Sequence, residues 1–127
     1  RRLAIGNVEF VQADWYEGVG STWRGAAFDF IASNPPYVAA ADPHLGEGDL
    51  RFEPGLALTP GGDGLGAIAR IVAGARARLA GAGTLIVEHG YDQADAVRAL
   101  FVAAGFAEVV GARDLAGVPR VVAGRVL

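Results

Sequence analysis

Apolar and polar positions recur along the chain in two rhythms, period two and period three-to-four, and these divide it into short strands and helices. Val8-Glu9-Phe10-Val11-Gln12 alternates as a strand does, with Ala13-Asp14-Trp15 at its end. Residues 16–27 hold Gly18, Gly20, Ser21 and Gly25 and read as a loop. Phe28-Asp29-Phe30-Ile31-Ala32-Ser33 predicts a second strand that runs straight into Asn34. Residues 38–62 have no clear period and contain Pro43, Pro54 and Pro60. Such a stretch inside a compact domain is usually functional or disordered.

From Asp63 the period changes to that of a helix. Leu65, Ile68, Val72, Ala75 and Leu79 form its apolar stripe, Asp63 is the expected N-cap and Gly81 the expected stop. Thr84-Leu85-Ile86-Val87-Glu88 is a short apolar strand of the kind buried on both faces. A second helix follows, with Asp92 as its expected cap, Val97, Leu100, Phe101 and Ala104 on one face and Gly105 closing it. Residues 107–111 and 120–125 are two last strands, and the short link between them predicts an antiparallel pair. Strands alternating with helices imply an α/β fold with a mostly parallel sheet and an antiparallel C-terminal strand.

Composition narrows this picture. The chain has 127 residues and a 52% hydrophobic fraction, which suits one domain, or part of one, with a real core. No run of eighteen apolar residues occurs, so no membrane span is expected, and the first residues do not form a signal peptide. With no cysteine, disulfides and thiolate metal sites are excluded, and a cytoplasmic setting is the default expectation. Eleven basic against fourteen acidic residues give a net charge of −3, which argues against general nucleic-acid binding. His44 with Asp42, or His89 with Glu88, lacks the spacing and third ligand of a metal site, so no metal is expected. Glu88, at the end of a central strand, is placed to line a pocket. Trp23, Arg24 and the arginines at 70, 76, 78 and 98 could form a nucleic-acid face, but the helix arginines read better as a solvated face. Arg120 reads as a packing or salt-bridge residue.

The candidate chemistry lies in Asn34-Pro35-Pro36-Tyr37, at the carboxyl end of a strand, where open α/β sheets bind ligands. Two consecutive prolines hold the backbone extended and offer carbonyls without N–H donors. Such a turn suits methylation of a planar nitrogen. The Asn34 side-chain oxygen accepts one N–H, the Pro35 carbonyl accepts the other, and Tyr37 stacks on the planar group. That places the nitrogen in line with a methyl donor, which is catalysis by orientation. Acceptors on its hydrogens also favour the charge that develops during attack.

The stretch FDFIASNPPY at 28–37 resembles the motif of amino-methyltransferases. Further blocks are similar to the HemK/PrmC family of release factor glutamine methyltransferases: ADW at 13–15, DPHL at 42–45, RFEPGLAL at 51–58, GGDGL at 61–65, EHGYDQ at 88–93 and DLAGVPRVV at 114–122. The resemblance implies S-adenosylmethionine as cofactor, a partial Rossmann-like class I methyltransferase sheet, and transfer to the Gly-Gly-Gln glutamine of class 1 peptide chain release factors. It implies that Asp14 and Trp15 lie near the cofactor's adenine and that Asn34 touches both cofactor and substrate. Pro35, Pro36 and Tyr37 would frame the glutamine, with Glu53 in the loop, about 38–62, that shapes the entrance.

The same resemblance places residues 1–127 in the C-terminal portion of such a domain, beginning just before its third strand. The glycine-rich cofactor loop and the first two strands of the family's 3-2-1-4-5-7-6 sheet have no counterpart in the sequence. Gly62-Asp63-Gly64-Leu65-Gly66 does not replace that loop, because it does not follow a buried strand. Residues 8–12 are therefore expected either to fill the gap beside 28–33 or to pair with another chain, giving a strand-mediated dimer. Two rival readings remain: a nucleic-acid amino-methyltransferase sharing the NPPY turn, and a truncated fragment that folds without binding cofactor.

Overall fold

The computed structural model describes residues 5–17, 25, 27–37 and 64–127. Its elements are β1 (Phe28–Ser33), α1 (Gly66–Ala75), β2 (Leu79–Glu88), α2 (Ala94–Ala103), β3 (Ala107–Arg113) and β4 (Pro119–Arg125). They form one sheet in the order β1-β2-β4-β3. β1 and β2 are parallel, while β4 runs antiparallel to both β2 and β3. This is the expected mixed sheet, and its order corresponds to the 4-5-7-6 portion of the family order.

Register decides which side chains share a face. Ile31 pairs with Leu85 and Leu85 with Gly124; Ser33 pairs with Val87 and Val87 with Val122. These rows lie under the helices. Leu85, Val87 and Val122 join Ile68, Ile71, Val72 and Ala75 of α1 and Val97 and Phe101 of α2 in one core. The stripes expected from the sequence are the ones buried, with Leu65, Leu100 and Ala104 packed at the margin. Gly105, at φ +79, ends α2 in the left-handed conformation that glycine adopts without cost. Its N–H donates to the Val102 carbonyl and the Phe106 N–H to that of Phe101, which satisfies two of the helix's last carbonyls.

Four local expectations are corrected. Residues 8–12 form no strand: positions 5–14 are exposed, Phe10 by 91%, and the nearest pairing is an isolated bridge between Asp14 and Glu17. They do not fill the place beside β1. Alternation is what a strand needs on its faces, but its N–H and C=O groups also need a neighbour.

The first helix stops at Ala75, well before Gly81. The Phe28 N–H donates to the Arg78 carbonyl over 2.8 Å, drawing the alanine-rich stretch beyond into β2, where Gly81 lies. Leu79 is thus a core residue of β2 and not of the helix stripe. The residue before α1 is Leu65, without a side-chain cap; Asp63 lies outside the described residues.

At α2 the N-cap position is Gln93 and not Asp92. Finally, β2 is not buried on both faces: Leu85 and Val87 are buried whereas Thr84, Ile86 and Glu88 are intermediate.

Candidate active site

β1 delivers Asn34 to the carboxyl edge of the sheet, beside the end of β2. Asn34 is exposed, Pro35 is buried, and Pro36 and Tyr37 are intermediate. Exposure of the amide and burial of the first proline suit a polar group presented on a fixed backbone. The Tyr37 ring packs against the margin of the core. Its hydroxyl donates to the Glu88 carboxylate over 2.8 Å. Burial, and then the Glu88 carboxylate, push the Tyr37 phenol up to about 12, against the pull of Arg120. Tyr37 is therefore a neutral, oriented ring at ordinary pH, suited to stacking and not to taking a proton. Glu88 lies where the sequence placed it, at the end of a central strand and in contact with the turn.

Asp14 and Trp15 come from the short turn 14–17, closed by the Glu17 N–H on the Asp14 carbonyl at 2.9 Å. Trp15 adopts φ 54, an uncommon conformation for a bulky residue, and its side chain is half-buried against the core. The turn is held by Tyr16, a residue the sequence reading did not single out. Its hydroxyl donates to the Ile71 carbonyl over 3.0 Å, and the Arg78 guanidinium lies 4.4 Å from its ring centroid. Burial pushes this phenol, too, up to about 12. The available signal was its place directly after Asp-Trp, but the partners come from α1 and the turn after it, which sequence spacing does not reveal.

Trp15 and Tyr16 line a largely apolar depression of about 350 Å³ with Phe28, Phe30, Ile31, Ala32, Ser33 and Ile71. Its wall ends one residue before Asn34. Trp15 thus lies beside β1. Asp14 is exposed, with its carboxylate 3.7 Å from Arg70, and does not line the depression. Glu53 lies outside the described residues. The lining of the depression is aromatic at Trp15, Tyr16, Phe28 and Phe30 and aliphatic at Ile31, Ala32 and Ile71. No carboxylate is found among the residues that line the depression.

His89 is fully buried. Its backbone N–H donates to the Arg120 carbonyl at 2.9 Å, and its Nδ1 lies 2.7 Å from the Gly90 carbonyl. It ties the end of β2 to the start of β4. Arg120 itself pairs with Asp114 at 3.2 Å, the salt bridge its sequence context allowed. Among the described residues no group of three or more His, Cys, Asp or Glu could hold a metal ion, and no helix is long and apolar enough to cross a membrane.

A strand-end Asn-Pro-Pro-Tyr turn on a mixed sheet of this order defines a class: a partial Rossmann-like methyltransferase fold of class I. A solved structure agrees. The chain is similar to the protein-(glutamine-N5) methyltransferase (release factor-specific) of Alicyclobacillus acidocaldarius, with TM-score 0.53 and 32% identity, over 81% of this chain and 51% of that one. No family model matches. By sequence the chain is 54% identical over 122 residues to the release factor glutamine methyltransferase of Burkholderia pseudomallei, covering 96% of this chain and 42% of that protein. It is 49% identical over 125 residues to the protein of the same name from Pseudomonas aeruginosa, covering 98% and 44%. The chain is thus similar to release factor glutamine methyltransferases along almost its whole length and spans a little under half the length of these curated relatives.

Proposed function

We propose that these residues form the substrate-facing part of a protein-glutamine N-methyltransferase. Its substrate is the glutamine side-chain amide in the Gly-Gly-Gln motif of class 1 peptide chain release factors, and its methyl donor is S-adenosylmethionine. The observation that carries the proposal is the Asn34–Tyr37 turn at the carboxyl end of β1, within a chain that matches these enzymes along almost its whole length. When bound, the cofactor supplies an electrophilic methyl group on a sulfonium. The chain's own residues do the rest by position. The Asn34 side-chain oxygen and the Pro35 carbonyl accept the two amide N–H bonds. Tyr37 covers the face of the amide plane. Holding both hydrogens would let the nitrogen build up positive charge as its lone pair forms the new N–C bond; the methyl–sulfur bond breaks in the same step, the donor leaves as a neutral thioether, and one N–H proton is lost to solvent.

The 127 residues carry no glycine-rich strand–turn–helix for the cofactor, so by themselves they are expected neither to bind it tightly nor to turn over. Isothermal titration of S-adenosylmethionine into this chain, and into an amino-terminally extended one, checks this; tight binding by the chain as it stands overturns it. In the extended protein, Asn34→Ala should lower methyl transfer to a Gly-Gly-Gln protein by at least about 100-fold with the fold unchanged. Retained transfer removes Asn34 from the mechanism. Transfer to adenine or guanine in nucleic acid, with none to the protein, favours the rival amino-methyltransferase reading.

A further inference from the structure

Three segments converge on Tyr37, and one of them has a side chain with no evident task in methyl transfer. The Gln93 side chain spans the β2–α2 loop. Its Oε1 accepts the Gly90 N–H at 2.9 Å, and its Nε2 donates to the Tyr37 carbonyl at 3.0 Å. Gln93 is 8% exposed; its bond with Gly90 is buried and its bond to Tyr37 partly so. Glu88, at the end of β2, accepts the Tyr37 hydroxyl. On the third side stands Gly64, at φ +78, just before α1. A Cβ there would overlap the Tyr37 carbonyl oxygen and lie 2.9 Å from the Gln93 Nε2. Tyr37 is thus held at both ends, by its carbonyl and by its hydroxyl, with no slack behind it.

We propose that Gln93 and Glu88 are positioning residues for methyl transfer. The Gln93 amide fixes the backbone of the Asn-Pro-Pro-Tyr turn, and the Glu88 carboxylate fixes the tilt of the Tyr37 ring, so that the β2–α2 loop sets the pose of the substrate amide. Neither residue touches the reacting atoms; both act through Tyr37. The inference rests on the methyl-transfer reading above. Its physical basis is that a small misplacement of an orienting group costs rate rather than affinity, with about 1 Å costing about 100-fold. The loop end is anchored in turn by the His89 N–H on the Arg120 carbonyl, so the clamp is tied to β4.

The test uses the amino-terminally extended protein and two readouts. The first is kinetic. Glu88→Ala is expected to lower kcat for a Gly-Gly-Gln release factor by about 10- to 100-fold with little change in KM, and Glu88→Gln, which keeps an acceptor for the Tyr37 hydroxyl, to restore most of the loss. Gln93→Met should show the same kcat-against-KM split. If it does not fold, Gln93→Glu, which keeps the acceptor for Gly90, is read instead. The second readout is ultraviolet titration of the Tyr37 phenol, assigned by difference from Tyr37→Phe. Glu88 and Arg120 are the charged groups that act on it, and it should titrate at lower pH in Glu88→Ala and Gln93→Met than in the parent. An unshifted phenol in both, or a loss confined to KM, overturns the proposal. A parent protein that transfers no methyl group to a Gly-Gly-Gln protein overturns the functional reading instead, and the phenol titration still decides whether the clamp exists.

Discussion

On the helix-covered face of the sheet, Leu85, Val87 and Val122 are fully buried; on the opposite face, Ile86 and Ala123 of the same strands are only partly buried, and Phe30 of β1 and Val110 of β3 are 69% and 58% exposed. Both faces carry apolar side chains, although the opposite one also holds Thr84, Glu88 and Arg125. The faces differ in what lies over them, because α1 and α2 both pack on one side. Strand alternation therefore fixes which residues share a face, while burial, and with it most of the stabilisation, depends on the elements that cover that face.

The largest expected effect breaks this comparison directly. Phe101→Ala removes a fully buried ring that stacks at a tilt on Phe106, 5.2 Å between centroids, and should destabilise by about 3–5 kcal/mol. Phe30→Ala, with the same chemistry on the other face, should stay within about 0.5 kcal/mol. Chemical denaturation of the two variants side by side checks the contrast, and similar losses would mean that the second face is covered as well. A smaller effect concerns close packing. Gly124 sits opposite Leu85 under α2, where a Cβ would come within 2.8 Å of a Phe101 ring atom and 3.0 Å of the Phe106 Cβ. Gly124→Ala should cost about 1–3 kcal/mol by the same measurement, with no counterpart from Ala123→Gly beyond the ordinary loss of strand propensity.

The smallest effect lies at the rim, where neither face contributes. The β3–β4 turn is closed by Asp114, whose carboxylate accepts the Val118 and Ala116 N–H groups and faces Arg120. The Val118 N–H first, then Arg120 and the Ala116 N–H, hold its carboxyl below the ordinary carboxylate value of 3.8. A depressed folded-state value means that this stabilisation is present above the unfolded value and is lost as the pH falls through the folded one. Amide exchange at Ala116 and Val118 should therefore quicken relative to the core as the solution is acidified below about pH 4. Asp114→Asn should remove that pH dependence.

Much of the site could be read from the sequence because its signal is local. Asn34 follows β1 without a break, and the two prolines restrict the backbone wherever the chain folds. The helix stripes and the antiparallel end pair were legible for the same reason. The sequence misled where a local pattern needed a distant partner. Residues 8–12 alternate correctly but have no described neighbour to pair with, and the alanine-rich run after Ala75 has high helix propensity yet is claimed by β1. Asp92 looks like a cap, but the Gln93 side chain meets the loop's Gly90 N–H instead.

By itself, then, the amino-acid sequence determined the α/β alternation, the buried faces of both helices and the acceptor-rich Asn-Pro-Pro-Tyr turn, all of which arise from short-range sterics and periodicity. Tertiary structure alone decided where α1 gives way to β2, that α1 and α2 both cover one face of the sheet, and that Glu88, Gln93 and Gly64 meet at Tyr37. Those outcomes depend on hydrogen bonds and close contacts between residues tens of positions apart, 51 for Tyr37 with Glu88 and 56 for Tyr37 with Gln93. No local pattern encodes such pairings, because each exists only once the sheet has set the register of its strands.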